Sequence, residues 1–345
     1  MNIKNKDINK EKPIFIIGSK RGGTTLLRRI INAHSLITIP PPGWFYHFLY
    51  ESLYSYGDLR KDENVLELIN DFLLIPLVKK HWQIQNKARE ILDLLPERSF
   101  RGILATLFHL YSQKYNTSIW GSKTPSNVFW MKEIQDDFPN ARFILLIRDG
   151  RDVSVDLFDV FWGPNSLYCS CLLWKSYMQA LLKGKELLKP GSYLQVYYED
   201  LVSKPESKVK EICNFLKLEF EPTMLRYYEG EADSFVGKED YHQATKEPIT
   251  NKYIGMYKNL TTIDRQLQVT VLGDVLRELK YLIDDQPRKI GFWERERYLE
   301  YERHGGLILE GAITYKVELA KRQLERKEKG VWDIKDKIKF FTRMS

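Results

Sequence analysis

Residues Pro13-Ile-Phe-Ile-Ile-Gly18-Ser-Lys20-Arg21-Gly22-Gly23-Thr24-Thr25-Leu-Leu27 read as a buried strand, a glycine-rich turn and the start of a helix. The unbroken apolar run from Ile14 to Ile17 suits a strand covered on both faces. A turn of this kind lines up successive backbone N–H groups, and the helix that follows adds the positive end of its dipole. Together they grip an anion such as a phosphate. The spacing of Gly18 and Gly23 fits the front of the GxxxxGK[ST] phosphate loop, but Thr24 stands where the lysine belongs. The strongest nearby cation is Arg21, inside the loop. The segment therefore predicts a site for a phosphate-like group that is not an ordinary Mg·ATP site.

Outward from this loop, Arg142–Ile147 is a second buried strand and Tyr193–Tyr197 a third, with shorter candidates at Thr117–Gly121 and Leu36–Ile39. Helical stretches lie at Thr24–Ala33, Val153–Phe161, Leu172–Leu188 and Lys204–Leu216, the last with Pro205 in its first turn. Strands alternating with helices predict an α/β fold: a central parallel sheet of the P-loop type, in three layers. Residues 44–116 interrupt the alternation with an aromatic-rich helical insertion, and residues 286–345 read as a charged, helical C-terminal extension. In that extension Val331, Ile334, Ile338 and Phe341 share one helical face flanked by Lys335, Lys337 and Lys339, which suits a partner-packed helix or an anionic membrane surface.

Composition narrows the function classes. The 345 residues are 43% hydrophobic, enough for a large core, and carry a formal charge of +7. That excess suits anionic ligands and is too small to argue for nucleic acid. Three cysteines (Cys169, Cys171 and Cys213) have no metal-site spacing and read as ordinary thiols. No apolar run is long enough to span a membrane and the charged start has no signal region, so the expectation is a cytoplasmic protein, with membrane-peripheral contact through the C-terminal helix as a further expectation.

Three segments together carry a resemblance: Arg21-Gly-Gly-Thr-Thr-Leu-Leu, then Leu146-Ile-Arg148-Asp-Gly-Arg151-Asp-Val, then Tyr197-Tyr-Glu199-Asp200-Leu-Val-x-x-Pro205. In order and spacing they resemble the sulfotransferases that use 3′-phosphoadenosine-5′-phosphosulfate (PAPS), especially the bacterial and tyrosylprotein branch. The likeness spans residues 13–40 and 119–284, within a domain expected over residues 1–285. It implies a sulfuryl transfer from PAPS to a hydroxyl, with no metal required. Lys20, Arg21, Gly22, Gly23, Thr24 and Thr25 become the cradle of the 5′-phosphosulfate. A cation and hydroxyls there stabilise the negative charge that grows on the departing phosphate.

The resemblance places Arg148 on the 3′-phosphate, a forked donor meeting a dianion. The family has a serine farther along the same segment, where this chain has Asp156. Either Ser154 substitutes through a local shift or Asp156 points away from the phosphate. Lys123-Thr124-Pro125 resembles the family element whose lysine approaches the reacting sulfate. Thr250, Lys252 and Lys258 fall in a segment like the family's late loop over the cofactor. Glu199 and Asp200 read as structural support, and His34 and Trp174 as structural residues.

The general base is the clearest departure. Related bacterial proteins read Ile-Pro-Pro-Glu-Ser-His-Phe after the first helix; this chain reads Ile39-Pro40-Pro41-Pro42-Gly43-Trp44-Phe45. Pro42 cannot accept a proton, so His47 is the replacement by position and by the near-neutral pKa of imidazole, with Glu51 and Asp156 as second choices. The insertion is expected to hold the acceptor, preferably a carbohydrate or glycolipid. Two other readings stay open: a P-loop kinase, against which Thr24 argues, and a non-catalytic PAPS- or PAP-binding scaffold, for which Pro42 and Asp156 argue.

Overall fold

The computed structural model describes residues 3–230, 245–304, 312–333 and 335–337. Five strands form one parallel sheet: β1 (Ile14–Gly18), β2 (Ile37–Thr38), β3 (Ile119–Lys123), β4 (Arg142–Ile147) and β5 (Tyr193–Tyr197), in the order β2-β3-β1-β4-β5. The expected α/β fold is present, with every anticipated strand found within a few residues of its expected bounds. The helices expected at Val153 and Leu172 begin earlier, at Gly150 and Leu167. Asp149 and Ser166 explain both shifts, because each accepts a bond from a backbone N–H of the first turn and so caps the helix.

Strand β1 shows why the sheet is covered on both sides. Phe15 and Ile17 join one apolar core with Phe143, Leu145 and Ile147, while Ile14 and Ile16 join another with Ile144 and Leu146. The helices Thr24–Asn32 and Pro205–Leu216 pack on the second face; the insertion and Leu167–Glu186 pack on the first. Chain connections from β1 lead to β2 and β3 on one side and β4 and β5 on the other. The crevice beside its carboxyl end, where Gly18 and Arg148 sit, is thus a topological switch point.

The insertion is core more than surface. Phe45, Tyr46, Phe48 and Tyr56 are all buried. Phe45 packs on Phe72, Trp82 and Phe108, and Phe108 stacks on Trp120 of β3 at 4.5 Å. These buried rings fasten the insertion to the sheet. Hydrophobic burial outcompetes exposure for rings of this size.

The helix Ala312–Glu328 returns to the insertion. Tyr315 is buried and donates its hydroxyl to the Asp71 carbonyl at 2.8 Å, while the Asp71 carboxylate meets Arg322 at 2.8 Å and Arg326 at 3.5 Å. Tyr56 donates to the same carboxylate at 2.5 Å. Val331 lies against Gly57, so this end of the expected apolar face is used inside the protein. Ile334, Ile338 and Phe341 lie outside the described residues. Among the described residues no helix is long and apolar enough to cross a membrane.

Candidate active site

Strand β1 stops at Gly18, where a Cβ would lie 2.7 Å from the Leu146 carbonyl oxygen. The loop then closes on itself through the Gly22 N–H, which donates to the Ser19 carbonyl at 3.1 Å. Arg21 has φ 58° and Gly23 φ 88°. Gly23 caps the helix Thr24–Asn32 with no side-chain acceptor, which leaves the first-turn N–H groups for a ligand. A Cβ on Gly23 would come within 2.5 Å of the Tyr198 ring. The backbone cradle, the dipole end and the cations beside it fit a phosphosulfate.

Lys123, the last residue of β3, is buried and donates to Thr25 Oγ1 at 3.2 Å. Lys20 lies over two indoles, with Nζ 5.7 Å from the Trp44 ring centre and 5.8 Å from that of Trp162. Burial lowers its pKa. Lys123 thus meets the loop at Thr25 and Arg148 meets it at Arg21, although they follow different strands, while Lys20 turns to the two indoles.

Arg148 is almost wholly buried at the end of β4. Its Nη1 donates to the Arg21 carbonyl at 3.0 Å and to Asp156 Oδ2 at 2.5 Å, and its Nη2 donates to the Tyr253 carbonyl at 2.9 Å. Tyr198 lies under the guanidinium at 4.8 Å. The other Asp156 oxygen is 3.8 Å from Arg21 Nη2. Burial alone would lower the Arg148 pKa, but Asp156 and the Tyr198 ring outweigh it and the net direction is upward. In Arg21 burial prevails and the net direction is downward, as its longer separation from Asp156 explains. Asp156 does not point away: it faces both arginines.

Ser154 is not brought to this place. Its hydroxyl is fully buried, donating to the Arg151 carbonyl at 3.0 Å and accepting from Gln268 at 2.9 Å. Two residues along a helix is more than half a turn, so Ser154 and Asp156 leave it on different sides. The late segment does reach Arg148, but through the Tyr253 carbonyl. Asp152 anchors it by accepting from the Gly255 and Tyr257 N–H groups at 2.8 and 3.1 Å. Thr250 accepts from the Lys252 N–H, Lys252 pairs with Glu247 at 3.2 Å, and Lys258 is exposed. None of the three contacts Arg148. Glu199 takes the Asp149 N–H at 2.9 Å and the Tyr281 hydroxyl at 3.0 Å, which braces the strand ends under the crevice.

His47 sits one turn into the insertion, 5.6 Å from the Trp44 ring and 5.2 Å from Phe48. Burial, then the charges of Lys316 and Lys20, pull its pKa down to about 4. It is neutral at physiological pH and about as basic as a carboxylate. Glu51 is exposed. Sequence reasoning missed Tyr198, Asp152, Trp162 and Lys316. The first two lie inside the quoted motifs; Lys316 comes from a distant helix and nothing local marks it.

Against this geometry the chain matches the sulfotransferase family model over residues 13–222. It belongs to the sulfotransferase family, the PAPS-dependent transferases that its motifs resemble, and is an enzyme of that class. Protein-tyrosine sulfotransferase A of Caenorhabditis elegans is 23% identical over 241 residues, 67% of this chain and 55% of that protein. The omega-hydroxy-beta-dihydromenaquinone-9 sulfotransferase Stf3 of Mycobacterium bovis (strain ATCC BAA-935 / AF2122/97) is 24% identical over 282 residues, 69% of this chain and 71% of that protein. The chain thus spans about half the length of the nematode relative. Among solved structures, the sulfotransferase domain from the Synechococcus PCC 7002 olefin synthase shares the fold with a TM-score of 0.55 at 21% identity, covering 76% of this chain and 96% of that domain.

Proposed function

We propose that the protein moves a sulfuryl group from PAPS to a hydroxyl on a saccharide or glycolipid. The observation that carries the donor assignment is the convergence of Arg21, Lys123, Arg148 and an uncapped helix N-terminus at one sheet edge. PAPS supplies the activated sulfuryl group. Arg21, Lys20 and the loop N–H groups hold its 5′ end, Lys123 keeps Thr25 and a positive charge beside the bond that breaks, and Arg148 serves the 3′ end. Arg21, Lys123 and the loop N–H groups at the 5′ end would then favour the charge that develops on the leaving phosphate. His47 is the proposed proton acceptor by position; it is unprotonated at physiological pH, but a pKa of about 4 makes it a weaker base than the ordinary imidazole the sequence led one to expect.

The acceptor reading rests on the partly exposed indole of Trp162 beside Lys20, a flat face of the kind a sugar ring stacks on. Relatives named for protein tyrosine and for a hydroxylated menaquinone put those hydroxyls in the same test panel. The experiment is calorimetric titration with 3′-phosphoadenosine-5′-phosphate (PAP), followed by transfer of labelled sulfate from PAPS to saccharides, glycolipids, tyrosine peptides and quinols. Arg21→Ala should weaken PAP binding by about 1.5–3 kcal/mol, the range of a hydrogen bond to a charged group. Absence of PAP binding in the wild type would remove the donor assignment; transfer to peptides or quinols alone would replace the acceptor.

A further inference from the structure

Asp156 places a carboxylate between the two guanidinium groups that would otherwise receive a phosphate. One oxygen is 2.5 Å from Arg148 Nη1 and the other 3.8 Å from Arg21 Nη2. The side chain is only 13% exposed, so water screens the contact weakly. Of the five guanidinium N–H groups of Arg148, Nη1 gives two to Asp156 and the Arg21 carbonyl and Nη2 one to the Tyr253 carbonyl, so the edge that faces Asp156 is already taken. A 3′-phosphate approaching Arg148 meets a guanidinium already paired and a like charge beside it.

We infer that Asp156 is a resident anion that competes with the donor's 3′-phosphate for Arg148 and so lowers the enzyme's discrimination between 3′-phosphorylated and plain adenylate ligands. The inference rests on the donor reading above and specifies one of its residues. The 5′-phosphate cradle feels the competition less, since its backbone N–H groups lie at the helix start, Lys123 reaches Thr25 rather than Asp156, and Arg21 is 3.8 Å from Asp156 where Arg148 is 2.5 Å from it. A ligand with only the 5′-phosphate therefore escapes most of the penalty. Asp156 is a specificity-determining residue in this reading.

The test is the affinity ratio of PAP to adenosine 5′-phosphate, titrated on the full chain for the wild type, Asp156→Asn and Asp156→Ser. Asn keeps the shape and removes the charge; Ser also removes bulk, so one of the two can be read if the other fails to fold. The expected result is a rise in the PAP-to-adenylate ratio of tenfold or more in a folded variant, carried by tighter PAP binding. A smaller rise, or one produced by weaker adenylate binding alone, overturns the inference while PAP binding by the wild type keeps the donor reading intact. Failure of every form to bind PAP overturns the donor reading itself, and this inference with it.

Discussion

Imidazole at position 47 gives the proposed mechanism a measurable pH signature. Its pKa falls from 6.5 to about 4 because the ring is buried against Trp44 and Phe48 and faces the positive charges of Lys316 and Lys20. At pH 5.5 such a group is ~97% deprotonated, whereas an ordinary histidine is only ~9% deprotonated. If His47 takes the acceptor proton, kcat/KM should stay level from pH 8 to about 5 and fall only near 4. His47→Gln should lower kcat by about 10²–10⁴ with PAP affinity preserved.

Stability has its own acid dependence. The folded pKa lies below the unfolded one, so between about 4 and 6.5 the unfolded chain binds more protons and stability rises with pH. The full shift would amount to about 3 kcal/mol at the acid end, an upper bound because a half-buried ring is partly screened by water. Circular dichroism at each pH separates this loss from the catalytic limb. PAP release from PAPS would be the rate assay. An acid limb centred near 6.5 in folded protein, or wild-type turnover in His47→Gln, refutes the assignment.

Asp71→Asn should free the C-terminal helix from the insertion, because it leaves Arg322 and the buried Arg326 without their shared carboxylate. Breaking such a pair costs about 3–5 kcal/mol, with Glu67, 3.4 Å from Arg326, favouring the lower end. Urea unfolding and proteolysis of Ala312–Glu328 would show it, and an unchanged midpoint would contradict it. Asp137 behaves in the opposite sense to His47: burial raises its pKa to about 7, although Tyr46 donates to it at 2.7 Å. Stability on its account falls as pH rises from 3.8 to about 7, so Asp137→Asn should stabilise the protein by about 1–3 kcal/mol at pH 8 and by much less at pH 4. Thermal melts at the two pH values decide this.

The sheet was legible because its strands are continuous apolar runs ending in turn residues, a pattern that burial on both faces imposes directly. The phosphate loop was legible for a related reason: Gly23 at φ 88° under the Tyr198 ring admits no side chain, so composition records geometry. Ser154, one of the two alternatives for the 3′-phosphate, has the right hydroxyl but leaves the helix on the wrong side. A hydroxyl fully buried against Gln268 on another helix cannot be inferred from its own segment. The insertion's rings look the same in sequence whether they line a pocket or fill a core. Contacts from residues far along the chain, Tyr315 and Arg326 among them, decided for the core.

Arg148 illustrates why a charge in this site has two consequences that mutation does not separate equally well. Arg21 is held at φ 58°, a conformation that costs a non-glycine residue of order 1–3 kcal/mol. The Arg148 Nη1 bond to the Arg21 carbonyl and the Gly22–Ser19 turn both brace the loop at this point. The same guanidinium ties the late segment through Tyr253. Arg148 is therefore a clasp between two loops as well as a cation, and lysine, with one nitrogen, keeps the charge but cannot span Arg21, Tyr253 and Asp156 at once. Lost PAP binding in an Arg148 variant would follow from a slackened loop or a missing charge alike. Arg21→Ala removes a guanidinium while leaving the Arg148 clasp its backbone carbonyl, so it is the substitution from which the electrostatic contribution can be read.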